Sequence, residues 1–178
     1  SNYKNVMRSI HYITSEDGLN MSYKRVTLST SGISKMIRRL AEDNVKVNLA
    51  LSLHAASEEI RKEIMPIGKS NTLEEIRDSL KYYFSKTRKK VTYEYVLLRD
   101  VNDSVEDAHN LYKYTKHLSS KVNIIEYNSV EGLGFEKSSF EKTEKFMNYL
   151  LKKGVNVSLR RSRGKDINAA CGQLANKN

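Results

Sequence analysis

Apolar residues recur along this chain in two alternating rhythms. At 25–30, 45–53, 90–98, 121–128 and 155–160 they form short runs rich in Val, Leu, Ile and Tyr, the pattern of β-strands. Between the runs the spacing changes to three and four. Ile33, Met36, Ile37 and Leu40 share one face of a helix over 33–43. Similar stretches predict helices over 3–14, 57–65, 72–87, 104–118 and 139–154. End signals agree with these bounds. Thr72 and Glu75 have capping-box spacing, Ser104 is an N-cap, and Gly154 suits a helix C-terminus.

The order is a helix followed by β-α-β-α-α-β-α-β-α-β. Strands separated by helices need crossovers, which are right-handed, so a mostly parallel five-stranded sheet is expected. The largely apolar run at 45–53 predicts a strand covered on both faces. No linker or repeat divides residues 1–178, which read as one α/β domain. A complete barrel takes eight β/α units, so five strands make either an open sheet or a piece of something larger, a partial (β/α) barrel or half-barrel flanked by helices. In such folds ligands sit beyond the carboxyl ends of the strands. Those ends are polar: Ser29-Thr30-Ser31-Gly32, Ser52-Leu53-His54, Glu94-Tyr95 and Glu126-Tyr127-Asn128. Any one of them can simply cap the next helix. Four on one rim predict a ligand crevice.

Composition narrows the class. With 39% hydrophobic and 29% charged residues and a single proline, the 178-residue chain is globular rather than disordered. No apolar run approaches the roughly 20 residues of a membrane span. One cysteine excludes an internal disulfide, and a cytoplasmic location is expected. The net charge of +10 favours a polyanionic partner such as RNA. Two basic clusters stand out. "KTRKK" at 86–90 reads as a solvated helix end, and "RRSRGK" at 160–165 lies just before the lone Cys171. The thiol is either inert packing or a reactive centre. Arg160, Arg161, Arg163 and Lys165 would favour its thiolate, and Ala169, Ala170 and Gly172 leave room beside it.

The strings "VTLSTSG", "LALSLHA" followed by "EIMPI", "VTYEYVLLRDVNDS", "VNIIEYN" and "RRSRGKDINAACGQLA" occur in order from about residue 3 to 175. Together they closely resemble the radical-SAM adenine methyltransferases of ribosomal RNA, the RlmN/Cfr family. The resemblance implies the C-terminal half of an incomplete β/α barrel. It also implies two cofactors, S-adenosylmethionine (SAM) and a 4Fe-4S cluster. The cluster's C-x3-C-x2-C ligands do not occur in this chain, which is therefore expected to be inactive alone. Cys171 matches the family's methyl carrier. Its sulfur is first methylated, and the resulting S-methylcysteine delivers the carbon to adenine by a radical route. C2 is expected rather than C8, because the C2 branch is the common one. Ser29, Ser52, Leu53, His54 and Asn128 match the family's SAM contacts. The implied partners are 23S rRNA, transfer RNA as a second substrate, and an electron donor for the cluster. Where the family has a proline-containing loop after the asparagine, this chain reads "NSVEGLGF".

Two other readings of the residues stay open. One is a basic α/β module that binds RNA without SAM chemistry. The other is a small-molecule enzyme with a phosphate site at Arg160 to Arg163. A barrel fragment should also expose the edge of the 25–30 strand and a bare apolar inner face, so self-association is expected, either edge to edge across Val26 and Leu28 or by swapping the 3–14 helix between chains.

Overall fold

The computed structural model describes residues 2–129 and 134–161. It contains helices α1 (Tyr3–Thr14), α2 (Ser34–Glu42), α3 (Glu58–Ile64), α4 (Leu73–Thr87), α5 (Val105–Thr115) and α6 (Phe140–Lys152). The strands are β1 (Thr27–Thr30), β2 (Asn48–Ser52), β3 (Val91–Leu97), β4 (Ser120–Glu126) and β5 (Val157–Arg160). Every strand but the start of β4 falls inside its predicted segment, and all neighbours are parallel.

The end signals work as the sequence suggests. Thr72 Oγ1 accepts from the Glu75 N–H at 3.2 Å, and Glu75 accepts from the Thr72 N–H at 2.8 Å. Ser104 and Asp107 form the same reciprocal box on α5. Gly154, at φ +74°, turns the chain after α6. The "KTRKK" cluster departs from expectation. Lys89 is half-buried, and its ammonium donates to the carbonyls of Lys46 and Val47. That contact ties the end of α4 to the loop before β2.

Strand order in the sheet equals order in the chain, β1-β2-β3-β4-β5. Right-handed crossovers in this order place all the helices on one face. A single core results. It joins Ile37 and Leu40 of α2, Ile76 and Leu80 of α4, Leu111 and Tyr114 of α5 and Phe146 of α6 to Leu49, Leu51, Tyr93, Tyr95, Val122 and Ile124 of the strands. Tyr93 meets Tyr114 edge-on at 5.9 Å, and Tyr95 meets Phe146 at 5.4 Å. Opening helix α1 sits at the rim of this layer. The Tyr3 hydroxyl donates to Asp43 at 2.6 Å, and the Arg39 guanidinium lies over the Tyr3 ring.

The other face carries Ser29, Ser52, Thr92, Glu94, Lys121, Asn123 and Ser158 together with Ala50, Val96 and Ile125. The strand over 45–53 is buried on both faces, as expected, with Leu49 and Leu51 at 2% and 0% exposure on the helical side and Ala50 at 1% on the other. One expectation is corrected. At the β1 edge the inner face is not apolar, because Val26 and Leu28 pack towards the core while Thr27 and Ser29 alternate to the open side. β1 is an edge strand, but that face offers polar groups rather than a hydrophobic patch.

A buried arginine fixes the turn after β1. Arg61 is fully buried, and its Nη2 donates to the Ser31 carbonyl at 2.7 Å. Its Nη1 reaches the Asn71 carbonyl at 3.4 Å. Burial lowers its pKa. Gly32 passes above it at φ +96°, where an added Cβ would stand 2.9 Å from Ile76 Cδ1 and 3.1 Å from the guanidinium. Both the backbone conformation and the space demand glycine. Gly32→Ala should destabilise the fold by about 1–3 kcal/mol, read as a lower urea midpoint at unchanged slope.

Candidate functional site at the strand ends

The C-terminal end of β2 runs into a tight turn. Leu53 and His54 both donate their N–H to the Glu94 carbonyl of β3, at 3.0 and 3.2 Å. The Ala55 N–H then returns to the Leu53 carbonyl at 2.8 Å, so the chain reverses across His54. His54 takes φ +57°, a conformation that costs energy in a residue with a Cβ. Three groups hold it there. Its N–H is bound to Glu94, and its carbonyl accepts from Asn102 Nδ2 at 2.7 Å. Its Nδ1 accepts from the Val96 N–H at 3.2 Å. The imidazole thus continues the β3 ladder where the β2 backbone stops.

That bond also sets the proton. Burial, with the nearby Arg61 charge, pushes the His54 pKa from 6.5 down to about 4, so the ring is neutral at physiological pH. Nδ1 is occupied as an acceptor, which leaves the proton on Nε2. Nε2–H has no partner among the described residues and is a neutral donor at the rim.

Asn102 was not singled out from sequence, yet it holds the rim together. It is fully buried, and its Nδ2 donates to the His54 and Val96 carbonyls at 2.7 and 2.8 Å. Its Oδ1 accepts from the Leu98 N–H at 2.7 Å, and its carbonyl accepts from the Tyr95 hydroxyl at 3.0 Å. Next to it, buried Asp103 accepts from Ser138 at 2.6 Å and from Lys142 at 3.1 Å. This joins the loops that follow β3 and β4. The only hint in the sequence is a polar "DVNDS" directly after a strand.

The sequence-selected residues distribute as follows. Ser29 is exposed on the open face of β1, beside Ala50. Ser52 is the last residue of β2 and lies beside Glu94. The Leu53 side chain is fully buried in the core, so only its backbone can meet a ligand. Asn128, two residues beyond β4, is 8% exposed, and its Oδ1 is buried without a partner among the described residues. The adjacent Tyr127 hydroxyl is likewise unpartnered. Cys171, Arg163 and Lys165 lie outside the described residues, as does half of the "NSVEGLGF" loop. Arg160 and Arg161 end β5 and are exposed. A groove of about 680 Å³ lies on the helical layer between α2 and α4. Among the described residues no group of three His, Cys, Asp or Glu side chains could hold a metal, and no helix is long and apolar enough to cross a membrane.

A parallel sheet wound in one direction, with the described helices on one side and unpartnered polar atoms at the strand ends, has the architecture of a partial β/α barrel. No family model matches the chain. The probable dual-specificity RNA methyltransferase RlmN of Christiangramia forsetii is 49% identical over 176 residues, which are 99% of this chain and 50% of that protein. The corresponding protein of Flavobacterium psychrophilum is 51% identical over 99% of this chain and 51% of its own length. The dual-specificity RNA methyltransferase RlmN of Nautilia profundicola is 41% identical over 99% and 50%. A crystal structure of a radical SAM methyltransferase from Sphaerobacter thermophilus superposes with a TM-score of 0.93 at 37% identity, covering 97% of this chain and 50% of that one. A domain of the pyruvate-formate lyase-activating enzyme of Bacteroides vulgatus, at 11% identity and a TM-score of 0.58, shares the fold alone. Over nearly its whole length the chain is a homologue of these RNA methyltransferases and of the radical SAM methyltransferase. It spans about half the length of the curated relatives it matches.

The neutral His54 makes a pH prediction. The unfolded chain protonates this ring near 6.5 and the folded chain only near 4, so between those values the unfolded state binds more protons. His54 therefore contributes stability that is complete above pH 6.5 and is lost as pH falls towards 4. Thermal melts of the wild type and of His54→Gln should converge as pH is lowered through this window. A gap that does not change with pH would count against it.

Proposed function

We propose that this chain is the C-terminal part of a radical-SAM enzyme that methylates adenine of 23S rRNA, at C2, with transfer RNA as a second substrate. The support comes from one observation. Ser29, Ser52, the Leu53–His54 turn and Asn128, matched to SAM contacts by resemblance, fall at the carboxyl ends of β1, β2 and β4. The dual specificity in the relatives' names agrees with two RNA classes.

The residues present fit SAM. The buried, unpartnered Asn128 Oδ1 accepts an N–H or O–H of the ligand, and leaving it empty would cost a desolvated acceptor. The His54 Nε2–H donates to a ligand acceptor without adding charge. The hydroxyls of Ser29 and Ser52 serve as either donor or acceptor. When bound, SAM with a 4Fe-4S cluster supplies the methyl group and the radical chemistry that an unactivated ring carbon requires. Cys171 serves as the methyl carrier, and its thiolate is favoured by the basic run at 160–165. The net charge of +10 draws in the RNA backbone. The cluster's ligands and the docking site for an electron donor belong to the part of the relatives that this chain does not span.

In the full-length protein, Cys171→Ala should abolish RNA methylation at unchanged melting temperature. Mass spectrometry of active wild type should find one extra methyl group on the peptide that carries Cys171. Wild-type turnover by the variant would refute the carrier role and favour an RNA-binding module. Asn128→Ala should weaken SAM binding roughly tenfold in calorimetry, the effect of one lost buried hydrogen bond. This chain alone, with its single cysteine, should develop no 4Fe-4S absorbance on reconstitution with iron and sulfide, and should not methylate RNA.

A further inference from the structure

Glu94 sits in the middle of the open face. Register aligns it with Ser52 of β2 on one side and Asn123 of β4 on the other, and Asn123 aligns with Ser158 of β5. The four side chains form one polar row across four strands. Within it the hydrogen bonds run in one direction. Ser158 Oγ donates to Asn123 Oδ1 at 2.9 Å, and Asn123 Nδ2 donates to Glu94 Oε1 at 2.9 Å. The chain of bonds stops there. Glu94 Oε2 is buried and has no partner among the described residues, and no cation there forms an ion pair with it.

A purely structural carboxylate would not be held this way. A buried acceptor without a donor costs free energy, and burying one near the centre of a sheet needs a compensating partner. Asn123 and Ser158 use their capacity to orient the carboxylate. Neither supplies the cation or second donor that would make the group self-sufficient. The same residue anchors the ligand rim through its backbone, because the Glu94 carbonyl holds the Leu53–His54 turn. Glu94 therefore stands beside Ser52 in register and two residues before Val96, whose N–H holds the His54 ring, on the side of the sheet without described helices.

We propose that Glu94 is a SAM-binding residue, whose free oxygen accepts a hydrogen bond from a donor group of the ligand and whose aim is set by Asn123 and Ser158. This rests on the SAM reading above. SAM carries two kinds of donor that suit a carboxylate, the ribose diol and the ammonium of its methionine end. The row accounts for an asparagine and two serines on a face that carries no helix among the described residues.

The test uses the full-length protein and calorimetric titration with SAM. Glu94→Gln is isosteric. It keeps an oxygen for Asn123 and puts an N–H where the ligand's donor arrives. SAM affinity should fall roughly tenfold or more, while the melting temperature stays close to wild type. Asn123→Ala frees the carboxylate without removing it and should weaken SAM by a smaller, roughly threefold, factor. Methylthioadenosine, which keeps the ribose and lacks the ammonium, separates the donors. A parallel loss in Glu94→Gln assigns the ribose, and a loss confined to SAM assigns the ammonium. Wild-type SAM affinity in a folded Glu94→Gln protein would overturn the proposal, even if RNA methylation fell through contact with the adenine instead. Failure of the wild type itself to bind SAM would overturn the SAM reading and this proposal together.

Discussion

The direction in which the chain winds governs everything else in this molecule. Each crossover between neighbouring parallel strands is right-handed, and the strands follow one another in sequence order. All helices must then lie on one side. That side takes up the leucines, tyrosines and isoleucines of alternate strand positions and becomes the core. The opposite side is left free of packing duty. Polar groups such as Ser52, Glu94 and Asn123 can occupy it without disturbing the core, and the strand ends above it are free to take up unusual conformations.

Those conformations are costly and are held by buried side chains that come from elsewhere. His54 has a positive φ because Glu94, Val96 and Asn102 grip its N–H, its ring and its carbonyl. The turn after β1 keeps its glycine because Arg61 and Ile76 leave no room for a larger residue. Asn102 and Arg61 use their polar capacity mainly on backbone carbonyls, which would otherwise be unsatisfied at loop positions. Loops fixed in this way can present groups such as Asn128 and the His54 Nε2–H in constant positions, which limits the entropy lost when a ligand binds.

The charge of the protein is arranged to the same end. Its excess of lysine and arginine suits long-range attraction to a polyanion, whereas the inner rim presents the unpartnered acceptors of Glu94 and Asn128 and one neutral imidazole. A neutral histidine at the rim keeps its donor function across physiological pH. Its low pKa is a consequence of burial beside Arg61, so the same buried arginine that shapes the β1 turn also keeps the ring uncharged.

Local patterning determined the elements, because capping and hydrophobic period depend on residues three to four positions apart. The boxes at Thr72 and Ser104, the glycine after α6 and the five strands are all legible on that scale. The alternation in "VTYEYVL" also placed Glu94 and Tyr95 on opposite faces. The strand-end serines and asparagine stood out as a set because a parallel α/β order makes strand ends the site of binding. Which face would be bare, and which side chains would complete the site, was left to tertiary structure. The partners are far apart in the chain. Asn102 meets His54 across 48 residues, Glu94 meets Asn123 across 29, and Arg61 meets Ser31 across 30. An asparagine that satisfies three strand-end groups and one that caps a helix look the same in a sequence. Only the register of parallel strands brings such groups within hydrogen-bond reach, and register is set by packing of the whole helical layer against the sheet.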